Sequence, residues 1–369
     1  MKKLLVLILV LALSLTMFAS CKQEVAETPV STATVAATVD ADTALNAMDI
    51  AIQDLALDRG EGMKIGIIAF SQGNDWNINA IAGITDYFET YGYTVQLYDT
   101  NYDASAALTA AEMFIANGFD GVVVSGGEQT SLEPVAEVLN AAGVPFSCID
   151  MSLDGAVIST MADNWGGGTQ LGLWVVNKLD GEGKVLILDT PSWVTLLARA
   201  DSADVVFQNF PGITSIRLDI DAGNAVADAQ TQVAAYLAAD TNNEIKAIVT
   251  TWNSPAMGAY AALIDSGRTD IVIASGDTGS DVLMAMREDT APEWCFMGQA
   301  AATLAYRASQ GLDLALQGLE DEVPFIMFGP TYFVSNSADA YGEVIDGSII
   351  LHQSPEEHYE EAFGRTYGT

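Results

Sequence analysis

The stretch Lys64–Phe70, KIGIIAF, decides the fold class of this chain. It is a continuous apolar run, and the polar segment Ser71–Asp75 separates it from a helical pattern that extends from Trp76 to Tyr91. A strand that is apolar on both faces is typical of a parallel sheet covered by helices on both sides. The stretch therefore predicts the first strand-helix unit of an α/β domain.

The same alternation of apolar strands and helical patterns recurs along the chain. The further predicted strands are 94–98, 121–124, 145–149, 156–160, 184–188, 214–218, 245–250 and 270–274. They fall into two runs of similar length, which predict an α/β fold with two doubly wound, Rossmann-like lobes. A late strand near 294–297, a helix over 300–317 and an apolar stretch over 325–334 predict further crossings between the lobes, and hence a multi-crossing hinge.

These patterns divide the chain into four parts. The parts are a signal peptide over 1–20, a flexible tether over 21–62, an N-terminal lobe over 63–163 plus 299–325, and a C-terminal lobe over 164–298 plus 326–369. The tether is rich in Ala, Thr, Val and Glu, and it contains a short predicted helix from Thr43 to Leu57. Such a segment would hold a folded protein away from a membrane surface.

The N-terminus has the pattern of a secretory signal. Two lysines precede the apolar run Leu4–Phe18, which ends in Ala19-Ser20-Cys21 and is too short to span a bilayer comfortably. This ending resembles the lipobox of bacterial lipoproteins, in which the signal is cleaved before the cysteine, although Phe18 stands where leucine is usual. We therefore expect lipidation of Cys21 and a membrane anchor; a plain secretory signal and a retained transmembrane anchor are the alternatives.

The composition excludes several classes of partner and site. The chain has 14 Lys plus Arg against 49 Asp plus Glu, a formal charge of −35, so a nucleic acid is not expected as a partner. The two histidines, His352 and His358, form no metal-binding motif with the cysteines, and we expect no metal and no other cofactor. Cys148 and Cys295 lie in apolar runs and are predicted to be buried free thiols.

Candidate ligand-binding residues follow the predicted strands, because ligands of open α/β sheets bind at the carboxyl ends of the strands. The side chains in these loops suit polar, ring-shaped solutes, and four of the six tryptophans fall among them. The candidates are Asn74, Trp76, Asn77, Asp150, Asn164, Trp193, Arg199, Trp252, Asn253, Asp277 and Gln299, with Trp165 as a further loop tryptophan.

The order of these residues between Lys64 and about Val334 resembles the periplasmic sugar-binding proteins of the ribose and galactose type, which are solute receptors of ABC transporters with the type I periplasmic binding protein fold. The matching features are the aromatic helix start at Trp76, Asp150 after a strand, Asp163-Asn164 before glycines, Arg199-x-Asp201, Asn253 before a helix, Gly276-Asp277 and Gln299. The resemblance implies that the four residues Asp150, Asn253, Asp277 and Gln299 hydrogen-bond adjacent hydroxyls of the solute.

The resemblance also assigns Arg199 a planar fork of donors and Trp76 an aromatic face for a sugar ring. Structural alternatives stay open: turn or cap roles for the two aspartates and Asn253, an ion pair for Arg199, helix-start packing for Trp76 and a hinge role for Gln299. The chain departs from the ribose-type pattern at Asn77 and Met151 and lacks an aromatic residue in 221–224. Trp165, Trp193 and Trp252 would then supply the missing aromatic contacts.

The expected function is a lipid-anchored, extracytoplasmic receptor that closes two lobes over a small polar ligand. The ligand would be a monosaccharide or related polyol, delivered by a monomeric receptor to an ABC permease. A nucleoside- or purine-binding lipoprotein of the same fold, and a sensor subunit for a chemoreceptor or histidine kinase, are alternatives. An enzyme is not expected, because no histidine precedes Leu351 and no Gly-x-Ser-x-Gly nucleophile motif occurs. A glycosidase that uses Asp150 and Asp277 as paired carboxylates is the remaining enzymatic alternative.

Overall fold

A computed structural model of the protein describes residues 47–53, 55–277 and 279–337, together with the backbone of 352 and 353. The predicted signal peptide, Cys21 and most of the predicted tether lie outside the described residues, as does His358. The described residues belong to one compact unit. Among them, no helix has both the length and the apolar character needed to cross a membrane.

Strands and helices alternate through most of the described chain. The strands are β1 (Lys64–Ala69), β2 (Thr94–Asp99), β3 (Gly121–Ser125), β4 (Phe146–Ile149), β5 (Ser159–Ala162), β6 (Glu182–Asp189), β7 (Gly212–Asp219), β8 (Ile245–Thr250), β9 (Val272–Gly276), β10 (Trp294–Gln299), β11 (Ile326–Gly329), β12 (Thr331–Ser335) and β13 (His352–Gln353). The α-helices are α1 (Ala47–Gln53), α2 (Asp75–Thr90), α3 (Ala104–Ala116), α4 (Gln129–Ala142), α5 (Asn164–Lys178), α6 (Val194–Gln208), α7 (Ala225–Ala239), α8 (Asn253–Ser266), α9 (Ser280–Ala285) and α10 (Ala301–Leu316).

The strands form two separate sheets. The first has the order β11-β5-β4-β3-β1-β2 and is parallel throughout. The second has the order β13-β12-β10-β9-β8-β6-β7, and in it β12 runs antiparallel to β10. The apolar strand stretches predicted from the sequence form the centres of these sheets, which confirms the α/β fold class with two lobes.

Helices cover both faces of each sheet. Side chains of α2 and α10 pack on one face of the first sheet, and those of α3 and α4 pack on the other. In the second sheet α5 and α6 cover one face, while α7, α8 and α9 cover the other. The central strands are therefore buried on both sides, which explains their continuous apolar sequences.

Within the described residues, the chain crosses between the lobes at Asp163, Ala300 and Pro330. The sequence placed the last crossing at residues 325 and 326, and this position is wrong: β11 pairs with β5 of the first sheet, residue Ile326 opposite Ser159. Gln299, assigned to the N-terminal lobe, instead ends β10 in the second sheet. Below, the N-terminal lobe is the described part of 47–162 plus 300–329, and the C-terminal lobe is the described part of 163–299 plus 330–353.

The described part of the predicted tether, 47–53 and 55–62, is folded, so its prediction as flexible up to residue 62 is wrong for this part. Met48 of α1 is buried and packs near Leu314 of α10. Arg59 forms a buried ion pair with Asp313, 2.7 Å between Nη2 and Oδ2, and Asp313 also accepts hydrogen bonds from the hydroxyls of Tyr87 and Tyr93. A buried carboxylate needs such partners, and one of them comes from the predicted tether.

Cys148 and Cys295 are both free and buried, as the sequence predicted. Cys148 lies on β4 and Cys295 on β10, at the centres of the two different sheets. Burial raises the pKa of the Cys148 thiol to about 12, and it also raises the pKa of Cys295. The two thiols are therefore protonated packing groups of the two cores at neutral pH.

Candidate functional site

A cavity lies between the lobes, at the carboxyl ends of the parallel strands. Its free space is about 400 Å³, counting the open solvent at its mouth. The lining residues are Asn74, Trp76, Asn77, Tyr102, Gly126 and Asp150 from the N-terminal lobe, and Trp193, Leu196, Trp252 and Asp277 from the C-terminal lobe. We call this space the cleft cavity. Seven of the eleven candidate residues line it, and the other four lie elsewhere in its surroundings.

Asp150 and Asp277 occupy corresponding positions in the two lobes. Each residue directly follows a central strand, β4 or β9, and each has a left-handed backbone, with φ of 62° and 61°. The backbone N–H of Asp150 donates to the Thr160 carbonyl, and that of Asp277 donates to the Met297 carbonyl, both at 2.7 Å. Left-handed backbones are costly for residues other than glycine, and such strain is concentrated at binding and active sites.

Arg199 holds Asp277 from behind the cavity lining. Its side chain is 1 % exposed; Nε donates to Asn164 Oδ1 and Nη1 to the Thr251 carbonyl, both at 2.7 Å. Nη1 also lies 3.0 Å from Asp277 Oδ1, which accepts a second hydrogen bond from Gln299 at 2.9 Å. The ion pair expected as the structural alternative for Arg199 is therefore present, and it positions a carboxylate that lines the cavity.

The glycines that follow Asn164 allow α5 to approach α6 at this place. A Cβ atom on Gly168 would lie 2.2 Å from the Arg199 carbonyl oxygen and 2.2 Å from the Ser202 hydroxyl. No side chain fits there without moving backbone. The Asn164-to-Gly168 sequence pattern is thus explained by the close packing that brings Asn164 and Arg199 together.

Asp150 has fewer partners than Asp277. Its Oδ2 accepts a hydrogen bond from the Thr195 hydroxyl across the cleft at 3.1 Å, and its buried Oδ1 has no partner within the described residues. Burial raises the pKa of Asp150 to about 7; the Arg199 charge opposes this rise, and the Asp277 charge adds to it. A buried carboxylate oxygen without a donor is costly, so Asp150 is prepared to accept a hydrogen bond or a positive charge.

Several other buried polar atoms around the cleft cavity lack partners among the described residues. The donors are Trp76 Nε1, Trp252 Nε1 and Arg199 Nη2, and the acceptors besides Asp150 Oδ1 are Asn253 Oδ1 and Gln299 Oε1. Trp252, rather than Asn253, holds the N-cap position of α8, so the capping alternative for Asn253 is wrong. Interleaved donors and acceptors suit a solute whose groups both donate and accept, as hydroxyls do.

Aromatic side chains supply the apolar part of the lining. The rings of Trp193 and Trp252 are nearly parallel, with centroids 6.5 Å apart and planes inclined by 13°. Phe70 of the N-terminal lobe meets Trp193 edge to face, with centroids 5.0 Å apart. Trp165 does not share this role: it is 57 % exposed and stands outside the lining.

Sequence reasoning missed the lining residues Tyr102, Gly126 and Leu196, and also Thr195 beside them. Tyr102 lies just after β2, where Asn101 and Tyr102 both have positive φ. The strand-end rule, by which residues directly after a parallel strand are candidate ligand contacts, could have found it if applied to β2. Leu196 and Thr195 lie one turn or less beyond the start of α6, next to the predicted Trp193. Apolar and hydroxyl side chains at a helix start give no chemical signal of their own, which explains why they were missed.

The lobes are in contact across the cleft. Besides the Thr195–Asp150 hydrogen bond and the Phe70–Trp193 ring contact, Asp75 Oδ2 accepts a hydrogen bond from the backbone N–H of Ser280 at 2.6 Å. The structure is therefore a closed arrangement in which both lobes contribute to one cavity. No group of three His, Cys, Asp or Glu side chains suited to a metal ion exists among the described residues.

Comparison with known proteins identifies the family. A family model described as periplasmic binding protein domain matches residues 65–320. The chain is 23% identical over 228 residues to the ribose import binding protein of Bacillus subtilis (strain 168), covering 61% of this chain and 72% of that protein. It is 22% identical over 259 residues to the galactofuranose-binding protein of Escherichia coli (strain K12), covering 67% and 80%.

A solved structure is also similar. It is an ABC transporter solute binding protein from Agrobacterium vitis with bound allitol, 26% identical, with a TM-score of 0.71 and coverage of 76% of this chain and 97% of that one. These relatives are binding proteins, which agrees with the expectation that the chain is not an enzyme. The family match, the two-lobed fold and the cavity between the lobes agree, and the chain belongs to the periplasmic binding protein domain family.

Proposed function

We propose that the protein is a lipid-anchored, extracytoplasmic receptor that closes its two lobes over a monosaccharide or related polyol and delivers it to an ABC permease. The observation that carries the proposal is the pair Asp150 and Asp277, one from each lobe, on the wall of one cavity. A solute that hydrogen-bonds both carboxylates interacts with both lobes at once. It therefore binds the closed arrangement better than the open one and shifts the population toward closure.

The ligand class follows from the chemistry of the cavity and from the relatives. Unpaired donors and acceptors suit hydroxyls, and the tryptophan faces suit the apolar faces of a sugar ring. The similar proteins named above are named for ribose and galactofuranose, and the similar structure holds allitol. These names support, for this chain, a solute of the size and polarity of a monosaccharide or polyol.

Titration of the purified protein with a panel of sugars, polyols, nucleosides and amino acids tests the proposal. We expect a sugar or polyol to quench or shift tryptophan fluorescence and to raise the melting temperature. Trp252→Phe, which removes one of the three lining tryptophans, should reduce the fluorescence response, whereas Trp165→Phe, which removes a tryptophan outside the cavity, should keep it. The absence of any response from every sugar and polyol would contradict the proposal.

The proposal of a lipid anchor is based on the apolar run Leu4–Phe18 and on Cys21, which follows it closely. Mass spectrometry of the mature N-terminal peptide should find a diacylglycerol group on Cys21, and Cys21→Ala should release the protein from the membrane fraction. A mature wild-type N-terminus without lipid would contradict this part of the proposal and leave the binding function unaffected.

A second candidate ligand is a nucleoside or purine base, which the near-parallel Trp193 and Trp252 rings favour. Parallel aromatic faces stack on planar bases as well as on sugar rings. The same titration separates the two classes. Adenosine or uridine bound more tightly than every sugar and polyol would favour this second candidate over the first.

A further inference from the structure

We infer that the solute carries a protonated amine, as an amino sugar or an aminopolyol does, and that this amine binds next to Asp150. This inference rests on the proposed function, because it assumes that the cleft cavity is the solute site. It specifies the charge of the solute, which the family membership alone leaves open.

The charged residues that line the cavity are all acidic. They are Asp150 and Asp277, and no lysine or arginine is among the lining residues. Arg199, the nearby cation, lies behind the lining and is bound to Asp277 at 3.0 Å. The site therefore has two carboxylates, and the one nearby guanidinium pairs with only one of them. The other carboxylate is left without a paired cation.

That unpaired charge belongs to Asp150. Among the described residues, its one hydrogen bond from a side chain comes from the neutral Thr195 hydroxyl, and its buried Oδ1 has no partner. The next residue, Met151, is apolar and fully buried, so it supplies no compensating charge. An ammonium group bound at Oδ1 would form the missing hydrogen bond and balance the charge.

The aromatic lining favours the same kind of ligand. Trp76, Tyr102, Trp193 and Trp252 all line the cavity that holds the two carboxylates. The faces of aromatic rings attract cations, most strongly where water is excluded. Carboxylates together with several aromatic rings, and no lining cation, form an environment that favours an ammonium group over a hydroxyl at the same position.

Isothermal titration calorimetry with matched pairs of an amine and its neutral counterpart tests the inference. Each pair differs by one amine: D-glucitol with 1-amino-1-deoxy-D-glucitol, D-glucose with D-glucosamine, and D-galactose with D-galactosamine. In at least one pair we expect the amine to bind at least about tenfold more tightly at pH 7.5, as an added charge-assisted hydrogen bond predicts. Equal or weaker binding of the amine in every pair that binds would overturn the inference and leave the proposed function standing. No binding by any compound would contradict both.

Asp150→Asn locates the effect. The substitution keeps the shape of the side chain and removes its charge, so the advantage of the amine over its neutral partner should vanish. Asp154→Asn is the matched control, because it removes one exposed negative charge outside the lining and should keep the advantage. Retention of the full advantage in Asp150→Asn would overturn the assignment.

A pH series on the wild-type protein decides the question if Asp150→Asn does not fold. The pair to use is D-glucitol with 1-amino-1-deoxy-D-glucitol, because the primary amine of this aminopolyol stays protonated between pH 5 and 8. The ratio of amine affinity to neutral-partner affinity should therefore fall as the pH drops and Asp150 gains a proton. A ratio that does not change over this range would overturn the inference.

Discussion

Asp75 of the N-terminal lobe and Ser280 of the C-terminal lobe are joined by a hydrogen bond of 2.6 Å from the Ser280 backbone N–H to Asp75 Oδ2. The two residues are 205 positions apart in the chain, and neither lines the cleft cavity. Opening of the lobes must break this bond. Asp75 therefore stabilises the closed arrangement whichever solute is bound.

We predict that Asp75→Ala weakens solute binding by about tenfold, because a hydrogen bond to a charged acceptor contributes about 1.5 kcal/mol or more. The loss should appear as faster dissociation in stopped-flow fluorescence, since the bond forms only on closure. Asp86→Ala on the same helix removes an exposed carboxylate and should leave the rate unchanged. Equal dissociation rates in Asp75→Ala and wild type would contradict this role.

The closure of the ligand-free protein should depend on pH. Burial raises the pKa of Asp150 to about 7 in the closed arrangement, and contact with water in an open arrangement would return it toward its ordinary value of about 4. Between these values the closed form binds a proton that the open form does not. Lowering the pH therefore favours closure, and raising it through 7 favours opening.

Small-angle scattering can measure this effect. The radius of gyration of the ligand-free protein should be smaller at pH 5 than at pH 8. Asp150→Asn should reduce the difference, because the amide does not titrate; this comparison also controls for Asp189, whose pKa burial raises to about 6. A pH-dependent radius of the same size in Asp150→Asn would assign the effect to another group.

Arg199→Met should strongly destabilise the C-terminal lobe. It leaves Asp277 buried without its cation and removes the donors to Asn164 and the Thr251 carbonyl, so we expect a loss of about 3–5 kcal/mol. The matched control is Lys184→Met, whose partly exposed side chain pairs with the exposed Glu244 at 2.9 Å and should cost far less. Urea unfolding followed by circular dichroism measures both. Similar losses in the two variants would contradict the prediction.

Asp313→Asn should loosen the folded part of the predicted tether. Asp313 accepts hydrogen bonds from Arg59, Tyr87 and Tyr93, and the Arg59 side chain is 3 % exposed. With this buried ion pair broken, trypsin should cleave after Arg59 at least about tenfold faster, as expected for a local loss of more than 1.4 kcal/mol. Mass spectrometry identifies the cut. In the control Asp321→Asn, which changes an exposed residue, Arg59 should be as well protected as in wild type; equal protection in Asp313→Asn would contradict the role of the Arg59–Asp313 ion pair.

The two-lobed fold was predictable because each central strand is a continuous apolar run that can be recognised from neighbouring residues alone. The run KIGIIAF becomes β1, whose residues from Ile65 to Ala69 are all buried. The end of the tether was not predictable in this way, because Arg59 meets Asp313 across 254 positions of sequence. The β11 strand was also misplaced, since half of its residues are exposed and its pairing with β5 is a long-range contact.

The sequence predicted the chemical character of the candidate site better than it predicted which residues line the cavity. The strand-end rule found Asp150 and Asp277 because the carboxyl ends of both sheets meet at the cleft. It could not separate lining residues from residues behind them, such as Arg199, because that depends on how helices approach each other. Trp165 shows the same limit: it follows a crossing as expected, but its position on the first turn of α5 directs it to solvent.

The assignment of α10 and β11 to the N-terminal lobe has a consequence for biosynthesis. The buried face of α10, with Leu304, Ala308 and Leu312, covers one side of the sheet that β1 begins. During synthesis and export, α2 can cover its part of that side early, but the part that packs against α10 stays uncovered until some 240 residues after β1 have emerged, the whole of 164–299 among them. The first lobe to begin is thus completed only after most of the second has been made. A chain interrupted anywhere before Gly329 would contain no finished N-terminal lobe, and the exported protein must pass through an incomplete state that exposes this apolar surface.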